Sequence, residues 1–314
     1  DVSLVHLHTC SGFSFARSCL DMLAARRRRC RVVLHVHGAM FDGFVRRQPL
    51  PLRRTIAHML ARADAVVALS HGWAGKLAAL APRARIRVIE NAVEVPPAVP
   101  DRTGGSPCRF VLLAKMDAWK GVDDLLDASA RLAQTGAPFL VTLAGPPGSA
   151  GDAKTLKQKI ERRGLAGLVH YAGPVVGSDK ERLLREADIY VQPSRHEGMP
   201  LSVLEAMAVG LPVVATRVGS LPEVLEHERT ALLVPPGDPA RLAAAMQRLI
   251  RDLPRRRAMS SSCHRLARER FSLERLERDL IALYDGILHP RRTPQAASAN
   301  EGVSPLPATL PSPL

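Results

Sequence analysis

Residues 194–208 read Ser-Arg-His-Glu-Gly-Met-Pro-Leu-Ser-Val-Leu-Glu-Ala-Met-Ala, a stretch in which two carboxylates flank Gly198 and Pro200 and an apolar helical run begins. The segment just before it, Ile189–Gln192, reads as a short strand. Pro200 suits the first turn of a helix, where its missing N–H costs nothing. The loop between them therefore opens at the carboxyl end of a strand, where open α/β sheets bind ligands. The backbone N–H groups of Met199, Leu201 and Ser202 at the helix start form a positive pole suited to phosphate. Glu197 stands just before the helix and Glu205 eight positions later, so one carboxylate can face the near end of a ligand while the other reaches further along it. Carboxylates are poor partners for phosphate and good ones for hydroxyl groups, which sugars and riboses supply in pairs. A nucleotide sugar meets that description. For Glu197 taken alone, the competing reading is stabilisation of the positive end of the helix.

Other polar residues offer less. His37 closes the run Leu34-His-Val-His-Gly at the carboxyl end of a second strand. A histidine there can contact a ligand or, being both donor and acceptor, can be a satisfied structural residue. His8, ending the strand Val2–His8, and Arg17, near the helix after it, read first as structural. The pair Asp123-Asp124 begins a helix and reads as a cap. No Asp-x-Asp motif is present, and Cys10, Cys19, Cys30, Cys108 and Cys263 lack metal-ligand spacing and read as reduced thiols. Hence no metal ligand is assigned, and no cofactor is expected.

A chain of 314 residues with 46% hydrophobic and 24% charged content can bury two domain cores, which excludes a disulfide-stapled miniprotein and a disordered chain. The 4% aromatic content favours helix-rich α/β packing over an all-β sandwich. A net charge of +14 implies an anionic partner: nucleic acid, a membrane surface or phosphates. No nucleic-acid module or aromatic interleaving appears, so no nucleic-acid partner is expected. Of that charge, +9 falls in residues 1–100, densest at Arg26–Arg29 with Arg31. This run is either a solvated helix end or a site of attraction to anionic lipid head groups, worth about 1 kcal/mol per basic residue. With no apolar run of about 18 residues, the expected location is cytoplasmic, with peripheral attachment at the inner face of the membrane.

These residues need strands to hold them. Val2–His8, Arg31–His37, Ala65–Leu69 and Ile86–Ile89 read as strands of a first block, with helices at Ser18–Arg29 and from an N-cap at Ser70. A second block has strands near Phe110–Ala114, Phe139–Ala144, Val169–Ala172, Ile189–Gln192, Val213–Thr216 and Ala231–Val234, then helices from Pro239 to Leu288. Alternating strands and helices predict parallel, doubly wound sheets. The predicted layout is a first domain at 1–95, a linker rich in Pro and Gly at 96–107, a second domain at 108–270, a helix at 271–288 packing back toward the first domain, and a disordered tail at 289–314.

In its setting, Glu197-x7-Glu205 resembles the signature of retaining glycosyltransferase family 4, enzymes of the GT-B fold. Other segments agree in order: Lys115-Met-Asp-Ala-Trp-Lys-Gly resembles the family's diphosphate-binding stretch, and Val88-Ile-Glu-Asn-Ala-Val resembles the end of its first domain. Ala187-Asp-Ile-Tyr-Val-Gln-Pro-Ser, Pro212-Val-Val-Ala-Thr and Leu233-Val-Pro-Pro-Gly-Asp resemble its second-domain strands. The resemblance covers about residues 1–285. It implies two Rossmann-like parallel-sheet domains facing across a cleft. It also implies transfer of a sugar from a nucleotide diphosphate donor to a saccharide or lipid-linked acceptor. Lys115 and Lys120 would then hold the diphosphate, Glu197 the donor sugar, Glu205 the ribose, and His37 a hydroxyl of donor sugar or acceptor. Gly198, Met199, Pro200, Leu201 and Ser202 would line the substrate. Departures are Lys115 for the family's Arg, Ala114 and Ala231 for Gly, and Ser220 for the second Gly of a pair. A lysine keeps the charge but loses the planar fork. Family members begin with a further strand and Gly-rich loop, so the first domain is expected to be incomplete and transfer poor unless about 60–90 upstream residues are restored. An epimerase or phosphorylase of the same fold, or a basic nucleic-acid-binding protein, are the rival readings.

Overall fold

The computed structural model describes residues 2–38, 40–100 and 105–289. The first unit is built from β1 (Leu4–Thr9), α1 (Phe13–Arg27), β2 (Arg31–Val36), α2 (Phe41–Arg46), α3 (Leu50–Arg62), β3 (Ala65–Ala68), α4 (His71–Leu80) and β4 (Ile86–Val88). Its four strands are parallel and lie in the order β1-β2-β3-β4. Val32, Val33, Val66 and Val67 are fully buried, as strands covered on both faces require. One face packs on Phe15, Met22, Phe41, Leu60 and Trp73.

The second unit comprises β5 (Cys108–Leu113), α5 (Val122–Ala133), β6 (Phe139–Ala144), α6 (Ala153–Arg162), β7 (Val169–Gly173), α7 (Gly177–Glu186), β8 (Ile189–Gln192), α8 (Leu201–Ala208), β9 (Val213–Thr216), α9 (Leu221–Val224), β10 (Ala231–Val234), α10 (Pro239–Arg251) and α11 (Leu253–Arg270). All six strands are parallel, in the order β10-β9-β8-β5-β6-β7. Winding proceeds outward from β5 to β7, then returns to β8 on the other side of β5. That reversal is the switch point of a doubly wound sheet, the place where such sheets bind ligands.

The closing helix α12 (Leu273–Leu288) lies on the first sheet, not the second. Leu276, Leu280, Leu283, Tyr284 and Ile287 recur at helical spacing and cover Val33, Ala65, Val67 and Ile89. Further links join the units. Glu223 accepts hydrogen bonds from Ser70 Oγ at 2.8 Å and Gly72 N at 3.1 Å, and Arg270 forks onto Glu90.

Several local expectations change. Helix α1 starts at Phe13 rather than Ser18, after Gly12 turns the chain with φ 66° and without a side-chain cap. Helices α2 and α3 fill residues 41–62, where the sequence pattern predicts no element. The Asp123-Asp124 pair does not cap α5. Its N-cap is Gly121, and the two carboxylates reach Lys159 and Arg195 instead. The predicted tail falls on residues 290–314, outside the described residues, apart from His289.

Candidate functional site

The switch point brings three loops together. After β5 the chain runs through Lys115 and Lys120 to Gly121, which takes φ 73°. A Cβ on Gly121 would lie 1.9 Å from the carbonyl oxygen of Pro193 in the loop after β8, so only glycine permits this approach. Arg195 N donates to Trp119 O at 2.8 Å, and Arg195 forks onto Asp124 at 3.2 and 3.0 Å. The loop after β9 closes on the same place. A Cβ on Gly219 would lie 1.9 Å from Glu197 O, and Ser220 N donates to Gly198 O at 3.1 Å.

Within this frame Lys120 and Glu197 meet. Lys120 Nζ donates to both carboxylate oxygens of Glu197, at 2.8 and 2.9 Å, and sits 4.4 Å from the Trp119 ring centroid. Glu197 is 5% exposed. Gln192 Nε2, at the end of β8, donates to it at 2.7 Å, while Tyr190 Oη donates to Gln192 Oε1 at 2.8 Å. A buried carboxylate needs such partners, because an unpaired buried charge is costly. The sequence reading placed Lys120 on diphosphate and Glu197 on sugar; the structure pairs them directly. An ammonium has three protons, and two of them serve Glu197.

Lys115 is exposed, with Nζ 3.5 Å from Asp117 Oδ2. Ser149 N donates to Asp117 at 2.9 Å and, with Lys115, holds that carboxyl below the usual range. Helix α8 starts after Pro200, and no side chain caps it. Its first helical bond is Val203 N to Pro200 O, so the N–H groups of Leu201 and Ser202 precede the ladder. Leu201 is exposed and Ser202 half-buried. Met199 is buried, and its carbonyl accepts from Asn91 Nδ2 at 2.9 Å, which ties this turn to the first unit. Glu205, half-buried on α8, pairs with Lys180 Nζ at 2.9 Å.

His37 belongs to the first unit and directly follows β2. Its ring nitrogen Nε2 is 2.7 Å from His8 Nδ1, and its N–H donates to Thr9 O at 2.8 Å. Burial, with His8 beside it, lowers the His37 pKa to about 4. His8, read as structural, is thus the direct partner of His37. Among residues that sequence reasoning missed, Asn91, Lys180, Gln192 and Ser220 all touch the candidate site. Gln192 carried a signal, as a polar residue ending an apolar strand. Of the basic run, Arg26 and Arg31 are engaged by Asp64, at 3.2 and 3.1 Å. None of the five cysteines forms a disulfide, and among the described residues no helix is long and apolar enough to cross a membrane.

Two Rossmann-like parallel-sheet units, one with its loops converging at a switch point, define the GT-B architecture. A family profile described as "Glycosyltransferase Family 4" matches residues 1–95, and one described as "Glycosyl transferases group 1" matches residues 107–252. The chain belongs to glycosyltransferase family 4. It is 31% identical over 271 residues to D-inositol 3-phosphate glycosyltransferase of Salinispora tropica, covering 78% of this chain and 56% of that one. It is 30% identical over 267 residues to the amylovoran biosynthesis glycosyltransferase AmsK of Erwinia amylovora, covering 79% and 61%. The chain thus spans a little over half the length of these relatives. Among solved structures, Anabaena HepE in complex with UDP superposes with a TM-score of 0.77 at 21% identity, covering 90% of this chain and 79% of that one. Sucrose-phosphate synthase from Thermosynechococcus elongatus gives the same TM-score and identity, covering 90% and 73%. At that identity the likeness speaks for the fold.

Proposed function

We propose that the protein is a retaining glycosyltransferase that moves a sugar from a nucleotide diphosphate donor to an acceptor hydroxyl in polysaccharide or glycolipid synthesis. One observation carries this reading: at the sheet's switch point the loop after β5 brings Lys120 onto Glu197 in the loop after β8, just ahead of the uncapped start of α8. The diphosphate lies against the N–H groups of Leu201 and Ser202, with the exposed Lys115 ammonium and the remaining proton of Lys120 completing its charge balance. Each preorganised donor of this kind is worth about 10²–10³ in rate. Glu197, fixed by Lys120 and Gln192, orients donor hydroxyls. Glu205 takes the ribose, exchanging Lys180 for the ligand, and His37 takes a hydroxyl of the donor sugar or acceptor. Fixed cations perform the charge stabilisation, so donor binding needs no metal. The titles of HepE structures name UDP and UDP-glucose, which makes uridine donors the first to try.

The name of AmsK, an amylovoran biosynthesis glycosyltransferase, supports a role in polysaccharide synthesis, for which we take the acceptor to be a saccharide or a lipid-linked sugar. The basic first unit favours work at the anionic inner face of a membrane, from the cytoplasm. Calorimetry with UDP in the presence of a chelator tests the donor site. Binding is expected to survive chelation and to weaken at least tenfold in Glu205→Ala. Undiminished binding in that variant, or a strict need for divalent metal, refutes the assignment.

A further inference from the structure

The parallel pairing of β1 with β2 sets His8 opposite His35. Side chains two positions apart on a strand share a face, so His6, His8, His35 and His37 emerge together. Their rings stack, with centroids 4.7 Å apart for His6 and His8, 5.2 Å for His8 and His35, 5.3 Å for His6 and His35, and 4.2 Å for His35 and His37. A stacked apolar cluster would serve packing as well; imidazoles also bring polar atoms that must be satisfied. His35 is 5% exposed, yet among the described residues neither ring nitrogen has a hydrogen-bond partner. His6 Nε2 is likewise buried without one. The other nitrogens are spoken for in a particular way. His6 Nδ1 lies 2.6 Å from Tyr284 Oη on α12, and His8 Nδ1 lies 2.7 Å from His37 Nε2. These contacts fix ring orientation and engage Nδ1 of His6 and of His8 rather than Nε2.

Ring nitrogens of His6, His8 and His35 lie within 4.8 Å of one another. Zn–N bonds of about 2.0–2.1 Å place tetrahedral ligand nitrogens about 3.4 Å apart, a contraction that modest ring rotations supply. We propose that His6, His8 and His35 form a binding site for a divalent transition-metal ion of the Zn²⁺ class, with Tyr284 as the positioning residue behind His6. Three neutral imidazoles suit such an ion, and solvent completes the coordination from the side of the exposed His8. The ion would clamp β1 to β2 and, through Tyr284, secure α12 on the first sheet. It takes no part in the proposed sugar transfer.

The test uses the full chain after chelator treatment and dialysis, titrated with Zn²⁺ alone and counted by equilibrium dialysis. About one saturable equivalent per chain is expected, with a rise in the thermal midpoint of unfolding. His8→Ala removes an exposed ligand and should weaken binding tenfold or more while the chain stays folded. Tyr284→Phe keeps the packing and should weaken it about tenfold. Absence of saturable binding overturns the proposal. So does stoichiometric binding that is unchanged in His8→Ala, because the ion would then sit among other residues.

Discussion

Between β5 and β8 the six-stranded sheet changes its direction of winding, whereas the four described strands of the first sheet follow one another in order. The two regions consequently carry chemistry in different ways. In the second unit, loops that meet at the reversal deliver single residues from distant parts of the chain. Lys120 and Glu197, 77 positions apart, meet because β5 and β8 are neighbours. In the first unit the polar residues lie within the strands, and pairing of β1 with β2 sets His6, His8, His35 and His37 on one face. A loop site depends on backbone closeness, and a strand-face site depends on register. Each dependence can be broken separately.

The largest effect is expected at Gly121. Alanine there meets the Pro193 carbonyl, a backbone atom that no rotamer change can move, and must also hold a left-handed φ. Gly121→Ala should cost about 4 kcal/mol or more, at the exceptional end of single substitutions, and should abolish donor binding. Urea unfolding with calorimetry of UDP checks both. A stable variant that binds UDP normally would show that the loops tolerate separation.

Next comes the buried ion pair. Lys120→Met leaves the Glu197 carboxylate with Gln192 but no counter-charge, and breaking a buried pair in this way costs about 3–5 kcal/mol. The double variant Lys120→Met with Glu197→Gln should recover part of that loss, which a double-mutant cycle by urea unfolding would measure. Additive losses would mean that the two side chains do not depend on each other.

Much of this architecture was legible in the sequence. The ten strands among the described residues were readable because most are short apolar runs bounded by breakers, as buried parallel strands are, and α8 was readable from Pro200. The failures share a cause. Helix α3 opens with Pro49 as N-cap and Pro51 in its first turn, residues that look like breakers until their place at a helix start is known. Asp123 and Asp124 have the right type and position for a cap, but their partners Lys159 and Arg195 lie 36 and 71 residues away. The residues proposed for the donor site were picked out by type and by the family resemblance, whereas the pairing of Lys120 with Glu197 needed strand order. The histidines alternate visibly along the sequence, yet only the register His8 to His35 turns two alternations into a cluster.

A milder test separates the units by pH, in the metal-free protein. Burial and the neighbouring histidines lower His6 and His37 to about 4 and His35 to about 2. Their folded values lie below the unfolded value of about 6.5, so the unfolded chain binds more protons in the window between. Stability from these groups is fully present above about pH 6.5 and is lost as pH falls toward 4 and below. Amide protection factors, taken relative to the intrinsic exchange rate at each pH, should therefore fall in β1 and β2 on acidification from pH 7 to 5, before they do in β5 and β8. Simultaneous loss of protection in both sheets would remove the histidine cluster as the acid-sensitive element.

The smallest effect is expected at Gly75, and its sign is opposite to that of Gly121. Gly75 lies inside α4, exposed, and a Cβ there meets no atom within 4 Å. Glycine in a helix interior loses more backbone freedom on folding than alanine does, so Gly75→Ala should stabilise the first unit by about 0.5–1 kcal/mol. Donor binding should not change, because the substitution lies outside the switch-point loops. Thermal unfolding followed by Trp73 fluorescence would report the shift. The same chemical change is then favourable where a glycine sits on an open helix face and disruptive where it lets two loops touch. A loss of stability at Gly75 comparable to that at Gly121 would mean that backbone approach at the switch point is not what distinguishes the second unit.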